Sequence, residues 1–281
     1  MKPRPAIGRR LTNVVVSVLA SMSAVLGMVI LAWIVWVVLV RGLGAFDLAF
    51  FTQLPTPPGM EGGGLANAII GTLVMTLLAT LVAVPLGLLG GVYLAEFGQG
   101  SRLADNTRFS ANVLMGMPSI IVGVFAYTLV VVPLGHFSGY AGALALAILM
   151  LPVVTRTTED MLRLVPNTLR ESALALGAPR WRVTLAIVFR AAKAGLITGV
   201  LLAVARVSGE TAPLLFTALN SPYWFHSLGE PTPNLTVTIF NYAMSPYPDW
   251  QQKAWGASLL ITVGVLMVTL LARFTLREKR S

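Results

Sequence analysis

The chain has 281 residues, of which 56% are apolar types and 11% charged, with a net charge of +9, no cysteine and only two histidines, His136 and His226. Its mean hydropathy is +0.79. Soluble chains carry about 25% charged residues, so this is a polytopic membrane protein, and cysteine-based disulfide, thiol and metal chemistry is excluded. The basic residues lie in short segments between apolar runs, so membrane topology accounts for the positive charge and nucleic acid is not expected as a partner.

"MKPRPAIGRR" precedes a charge-free run, Leu11–Val40, longer than the ~7–15 residues of a cleaved signal, and is expected to lead into a retained first helix. A second span is expected over about Leu65–Leu94. Arg108 to Arg156 is too long for one crossing and is punctuated at "PLGHFSG", giving spans at about Ala111–Val132 and Tyr140–Val154. A fifth begins near Ala191, and a sixth covers Ala254–Ala272. Each is near the ~20 residues a helical crossing needs. The expected fold is thus all-α, with six transmembrane helices and a long connection between the fourth and fifth. If both termini lie in the cytoplasm, seventeen of the twenty Lys and Arg residues face inward, leaving Arg41, Arg206 and Lys253, as the positive-inside rule requires. Gly87/Gly91, Gly195/Gly199 and Gly139/Ala143/Ala147 are small-residue spacings suited to close helix contact, either within this chain or in a dimer.

The connection Arg156–Arg190 is patterned. Pro166–Asn167 starts a short helix, Gly177 can cap its end, and Ala178–Pro179 restarts a second helix. Leu169, Ala173 and Leu176 form an apolar stripe that a partner protein could cover. In the fifth span, "LLAVARVSGETAPLLF" carries Arg206 and Glu210 among apolar residues. Charge at membrane depth is costly and marks functional sites by default. Arg206, Gly209, Glu210 and Pro213 fall at i, i+3, i+4 and i+7, as if on one helix face. Gly209 and Pro213 break the helix, and freed backbone is tolerated only beside a cavity or protein. Ser208 and Thr211 add hydroxyls. A planar guanidinium suits an oxyanion. Two readings stand: the wall of a substrate path, or a buried pair that fixes packing. The outer loop Thr217–Lys253 is either a gate or an interfacial aromatic belt; within it "NLTVTIFNYAM" reads as a short helix on the outer surface, with Asp249 capping the sixth span.

Glu171-Ser172-Ala173, Gly177 and Ile187 resemble the loop E-A-A-x3-G-x9-I-x-L-P of type I ABC importer permeases, the MetI-like superfamily. Ser172 replaces an Ala, and Phe189-Arg190 replaces the closing Leu-Pro. "GGGLANAIIGTL", "PSIIVGVFAY", "ARVSGETAPLLFTALN" and "TVTIFNYAMSPYPDWQQKAW" are more specific and resemble the phosphate-transport branch, over roughly Gly62–Phe274. The resemblance implies a permease that moves phosphate by alternating access, with Arg206, Ser208, Glu210 and Thr211 along the path. Glu171, Ser172, Ala173, Leu176 and Gly177 would form the loop that docks on an ATPase. It implies as partners a paralogous permease, two ATPase subunits and an extracytoplasmic phosphate-binding protein, beside membrane lipid. The implied location is the bacterial inner membrane. The expected domain division is 1–61 for the tail, first helix and first outer loop, 62–275 for the transport domain and 276–281 for the second tail. The chain has no G-x-x-x-x-G-K-[ST], so ATP and magnesium are expected to be used by a partner ATPase, with no cofactor or metal held here and no catalysis. Rivals are an ABC permease for phosphonate, sulfate or molybdate, an ion-coupled secondary transporter, which would show internal repeats and more intramembrane acids, and a membrane anchor, which would not need the broken polar span.

Overall fold

The computed structural model describes residues 6–277; the terminal tails 1–5 and 278–281 expected to share one side lie outside the described residues. Among the described residues the chain is helical, with one isolated antiparallel bridge between Pro55 and Gly63. Five helical stretches are long and apolar enough to cross a membrane, and a bent pair makes a sixth candidate. α1 (Ala6–Leu43) carries no charge from Leu11 to Val40 and stands almost free of the bundle. It touches only near its end, where Gly42 leaves no room for a side chain against Leu259 and the Trp255 carbonyl. A charge-free apolar run with no protein cover is what lipid contact selects. α2 (Leu48–Thr52) follows, capped by Asp47, whose carboxylate accepts from the Phe50 N–H at 2.7 Å.

The bundle centre is α3 (Ala66–Val92) against α7 (Gly139–Arg163). Gly87 and Gly91 of α3 lie against Val154 and Thr158 of α7, while Gly195 and Gly199 of α10 (Phe189–Ser208) lie against Met161 and Thr157 of the same helix. Added Cβ atoms at these positions would collide with their neighbours, so the small-residue spacings serve packing within this chain. Met75, Leu146, Met150, Val154, Ala203 and Val207 fill the seam.

Two of the expected spans differ in extent as follows, and one differs in kind. Rather than one crossing over Ala111–Val132, α4 (Arg102–Gly116) ends and α5 (Ser119–Ala126) restarts at a 105° bend. Pro118 is the cause. It pushes the preceding Met117 out of the helical region, to ψ 140°. A π-helical turn, Tyr127–Val131, and α6 (Val132–Leu134) complete this arm. α7 continues nine residues beyond the expected Val154, because a charged last turn needs no membrane. The fifth span has no break at Ala191. A short connection holds α8 (Asn167–Ala175) and α9 (Arg180–Val183), and the latter runs through a π-helical turn, Thr184–Val188, directly into α10.

Beyond α10 come α11 (Ala212–Thr217), α12 (Leu235–Ala243) and α13 (Pro248–Arg277). α12 does not lie on the surface as expected. Leu235, Thr236, Val237, Thr238 and Tyr242 are buried, and the helix packs between α3 and α13. Its polar groups are satisfied inside the protein, which permits the burial. The Leu235 N–H donates to Thr72 Oγ1 at 2.8 Å and Asn234 caps the first turn, accepting from Val237 N–H at 2.9 Å. Asp249 is not the cap of the sixth span. Pro248 already opens α13, and the Asp249 carboxylate meets Lys253 one turn on at 2.6 Å.

Candidate functional site

The charged stretch of the fifth span is where the sequence left two readings, the wall of a substrate path or a buried packing pair. α10 ends at Ser208 with Gly209 as its cap, Glu210 and Thr211 form a linker, and Pro213 sits in the first turn of α11. The four residues expected on one helix face are therefore divided among a helix, a linker and a second helix. The break lies where Pro213 cannot donate to the Gly209 carbonyl. Pro213 is buried against Gly123 of α5, whose added Cβ would lie 2.6 Å from the Pro213 Cα. The linker is fixed from the far side by Thr236, whose hydroxyl donates to the Glu210 carbonyl at 3.0 Å.

Arg206 and Glu210 do approach one another, but at 4.0 Å, with the arginine side chain 62% exposed and the carboxylate side chain 20%. The guanidinium is thus free to engage something else. Ser208 does not join it. Its hydroxyl donates to the Ala205 carbonyl at 2.8 Å, and the residue lines an apolar recess between α3, α10, α12 and α13. Thr211 contributes its carbonyl to the first turn of α11, accepting from Leu214 and Leu215 N–H at 3.1 and 3.2 Å.

The connection between α7 and α10 has the expected helix, turn and helix. Pro166 precedes α8, Gly177 takes φ +78°, and Pro179 precedes α9. A positive φ is where glycine is strongly preferred over residues with a Cβ. Glu171 and Ser172 are exposed, and Leu176 is 88% exposed. The expected stripe is only partly open, however. Ala173 is buried in a cluster with Ala95, Leu162, Val165, Val183 and Val188. The small methyl fits under the loop, while Leu169, Leu174 and Leu176 remain outside.

Two ion-pair groups near this connection were not singled out from the sequence. Glu159 is fully buried and meets Arg108 Nε at 2.7 Å and Arg163 Nη2 at 2.7 Å, with Arg156 as a third partner. Arg108 also donates to the Leu94 carbonyl at 2.9 Å, tying α4 to the end of α3. Arg170 of α8 donates to Glu96 through Nη2 at 2.7 Å and Nε at 3.2 Å, and to the Leu162 carbonyl at 2.7 Å. The spacing Arg156, Glu159, Arg163 was available as i, i+3 and i+4 pairs. Arg108 and Glu96 were not, because 51 and 74 residues separate them from their partners.

At the opposite end, a cavity of about 640 Å³ is lined by uncharged residues, among them Asn67, Asn220, Thr238, Tyr242 and Trp250. Tyr242 stacks on Trp250 with ring centroids 4.3 Å apart. Asn67 donates to the Ser221 and Tyr223 carbonyls at 3.1 and 3.2 Å, so the loop after α11 is pinned to α3.

The family model for "binding-protein-dependent transport system inner membrane component" matches residues 87–278. Among curated relatives, a phosphate transport system permease protein PstA of Yersinia pestis is 49% identical over 97% of this chain and 92% of its own length. One from Haemophilus influenzae is 47% identical over 97% of this chain and 96% of its own. The fold is similar to that of the inward-facing MetNI methionine ABC transporter, with TM-score 0.61 and 19% identity over 76% of this chain and 95% of that one. It is also similar to a bacterial transporter involved in import of the polysaccharide alginate, with TM-score 0.59 and 14% identity over 76% of this chain and 79% of that one. Such low identities speak for the fold alone. The chain belongs to the family of binding-protein-dependent transport inner membrane components, and within it to the phosphate transport system permeases.

Proposed function

We propose that this chain is a membrane subunit of an ATP-driven importer of inorganic phosphate. The observation that carries the reading is near-half identity to phosphate permeases along nearly the whole chain. In this reading a second, paralogous permease completes the path, two ATPase subunits bind ATP and magnesium, and an extracytoplasmic binding protein delivers phosphate. The chain itself contributes no hydrolytic chemistry. The connection bearing Glu171–Gly177 faces the cytoplasm of the inner membrane and docks on an ATPase, which the exposure of Leu169, Leu174 and Leu176 supports. Both termini lie on that same side.

Arg206 would line the phosphate path. An exposed guanidinium inside a membrane protein must meet water, another chain or an anion, and its loose pairing with Glu210 leaves donors available. ATP binding would draw the ATPases together and rock the bundle, exposing this face alternately to each side.

The test is reconstitution of the complete complex in vesicles. Uptake of radiolabelled phosphate that needs ATP and the binding protein supports the assignment; uptake of sulfate, molybdate or phosphonate in its place transfers it to that oxyanion. Gly177→Val forces a branched side chain to φ +78°, at a cost of roughly 1–2 kcal/mol, and should reduce co-purification of the ATPase. Single cysteines at Ser227 and Ser281 test orientation in a chain that has none. The first should react with an impermeant reagent in intact cells and the second should not; the reverse pattern overturns the orientation.

A further inference from the structure

We infer that Arg170 and Glu96 are positioning residues that clamp the docking helix to two central spans, so that motion of the ATPase reaches the bundle through this joint. The inference rests on the proposed importer function and goes beyond it by naming the joint. Among the described residues, Arg170 makes the only side-chain hydrogen bonds from α8 to another helix. Its guanidinium spans Glu96 and the Leu162 and Val165 carbonyls together. Glu96 belongs to the π-helical turn, Tyr93–Phe97, that ends α3, and Leu162 lies in the last turn of α7. One side chain therefore holds α8 against the ends of two spans.

The chemistry suits the task. A guanidinium presents fixed donors to carboxylate and carbonyl at once, which an ammonium does not. Both side chains of the pair are mostly buried, at 17% and 10% exposure, so screening by solvent is weak. Apart from this joint, the bundle holds α8 through the methyl of Ala173 and through α9 and its π-helical continuation. The covalent tie of α8 to α7 is the short link 164–166, which leaves the orientation of α8 to these contacts. Above the joint, α3 and α7 are interlocked where Gly87 and Gly91 admit Val154 and Thr158. A push on α8 thus moves the two spans as one body, and α10 follows covalently through α9. Coupling through packed elements of this kind needs rigid joints at each handover.

The experiment uses the complete complex. Arg170→Gln and Glu96→Gln should leave assembly and ATP hydrolysis within twofold of normal, while phosphate moved per ATP hydrolysed falls at least tenfold. The charge-swapped pair, Arg170→Glu with Glu96→Arg, should recover part of that ratio. Hydrogen exchange of the α8 amides, measured on the same complexes, should accelerate about tenfold in each single variant and slow again in the swap. A normal transport-to-hydrolysis ratio in assembled Arg170→Gln complex overturns the clamp. Failure of both single variants to assemble, with no recovery in the swap, also overturns it, because the pair would then serve folding. If the unsubstituted complex moves no phosphate, the importer assignment fails instead. The exchange measurement still decides the joint, and unchanged α8 protection in the single variants overturns it.

Discussion

The chain holds two groupings of arginine and carboxylate that a sequence motif would score alike and that the fold treats in opposite ways. Around Glu159, three guanidinium groups close on a carboxylate with no solvent exposure. At the end of α10, Arg206 and Glu210 stand 4.0 Å apart, and the arginine is mostly exposed. Both include an i, i+4 pair in the sequence. In the first, α4 crosses α7 and brings Arg108 across to share the carboxylate with a helix that stays regular. In the second, Gly209 and Pro213 end the helix between the partners, so the register that would join them is lost. A buried carboxylate must have its lone pairs filled to be tolerated, and the Glu159 group meets that demand internally. The Arg206 group does not, which leaves it open to groups from outside the chain.

That contrast can be broken most sharply at Glu159. Glu159→Ala leaves three arginines facing a void and should cost about 3–5 kcal/mol, the usual penalty for orphaning a buried ion pair. Thermal unfolding of the purified complex and its yield would report it; unchanged values would mean that the cluster is solvated and dispensable. A smaller effect is expected at Arg163, whose side chain is half exposed and is one of three partners. Arg163→Gln should cost about 1 kcal/mol, after allowance for screening, and a loss as large as that of Glu159→Ala would show that the partners do not share the load. The smallest stability change belongs to Arg206→Gln, within about 0.5 kcal/mol, as for other exposed pairs. A double-mutant cycle with Glu210→Gln should give a coupling energy no larger. Phosphate uptake normalised to assembled complex should nevertheless fall at least tenfold in Arg206→Gln, with partial recovery in Arg206→Lys, where a point charge replaces the fork. Strong destabilisation with normal uptake by whatever assembles would make the pair a packing lock.

The uncharged cavity at the other end sharpens the same lesson. Its walls are amides, hydroxyls, prolines and aromatic rings, and among the described residues Asn220 Oδ1 and Trp250 Nε1 are buried there with no hydrogen-bond partner. Its lining offers no cation to pair with an anion. The proposed phosphate path past Arg206 lies instead at the break in α10.

Sequence alone determined the membrane class, the approximate number of spans, the helix–turn–helix connection and the position of the helix break. Each depends on local chemistry. Apolar runs must leave water, glycine takes the positive φ at position 177, and proline at 213 removes a donor. Arg206 and Glu210 were legible for the same reason, since charge in an apolar run is conspicuous wherever the chain goes. What tertiary structure alone decided is what each charge meets. Nothing local says that Arg108 would reach Glu159, that Arg170 would find Glu96, or that Ala173 would turn inward while Leu176 stayed exposed. Nor could hydropathy tell that α12 would be drawn between α3 and α13, because its burial depends on Thr72 and Asn234 supplying hydrogen bonds at its first turn. Span and break are properties of one segment, whereas pairing and burial belong to surfaces that exist only after distant segments have packed.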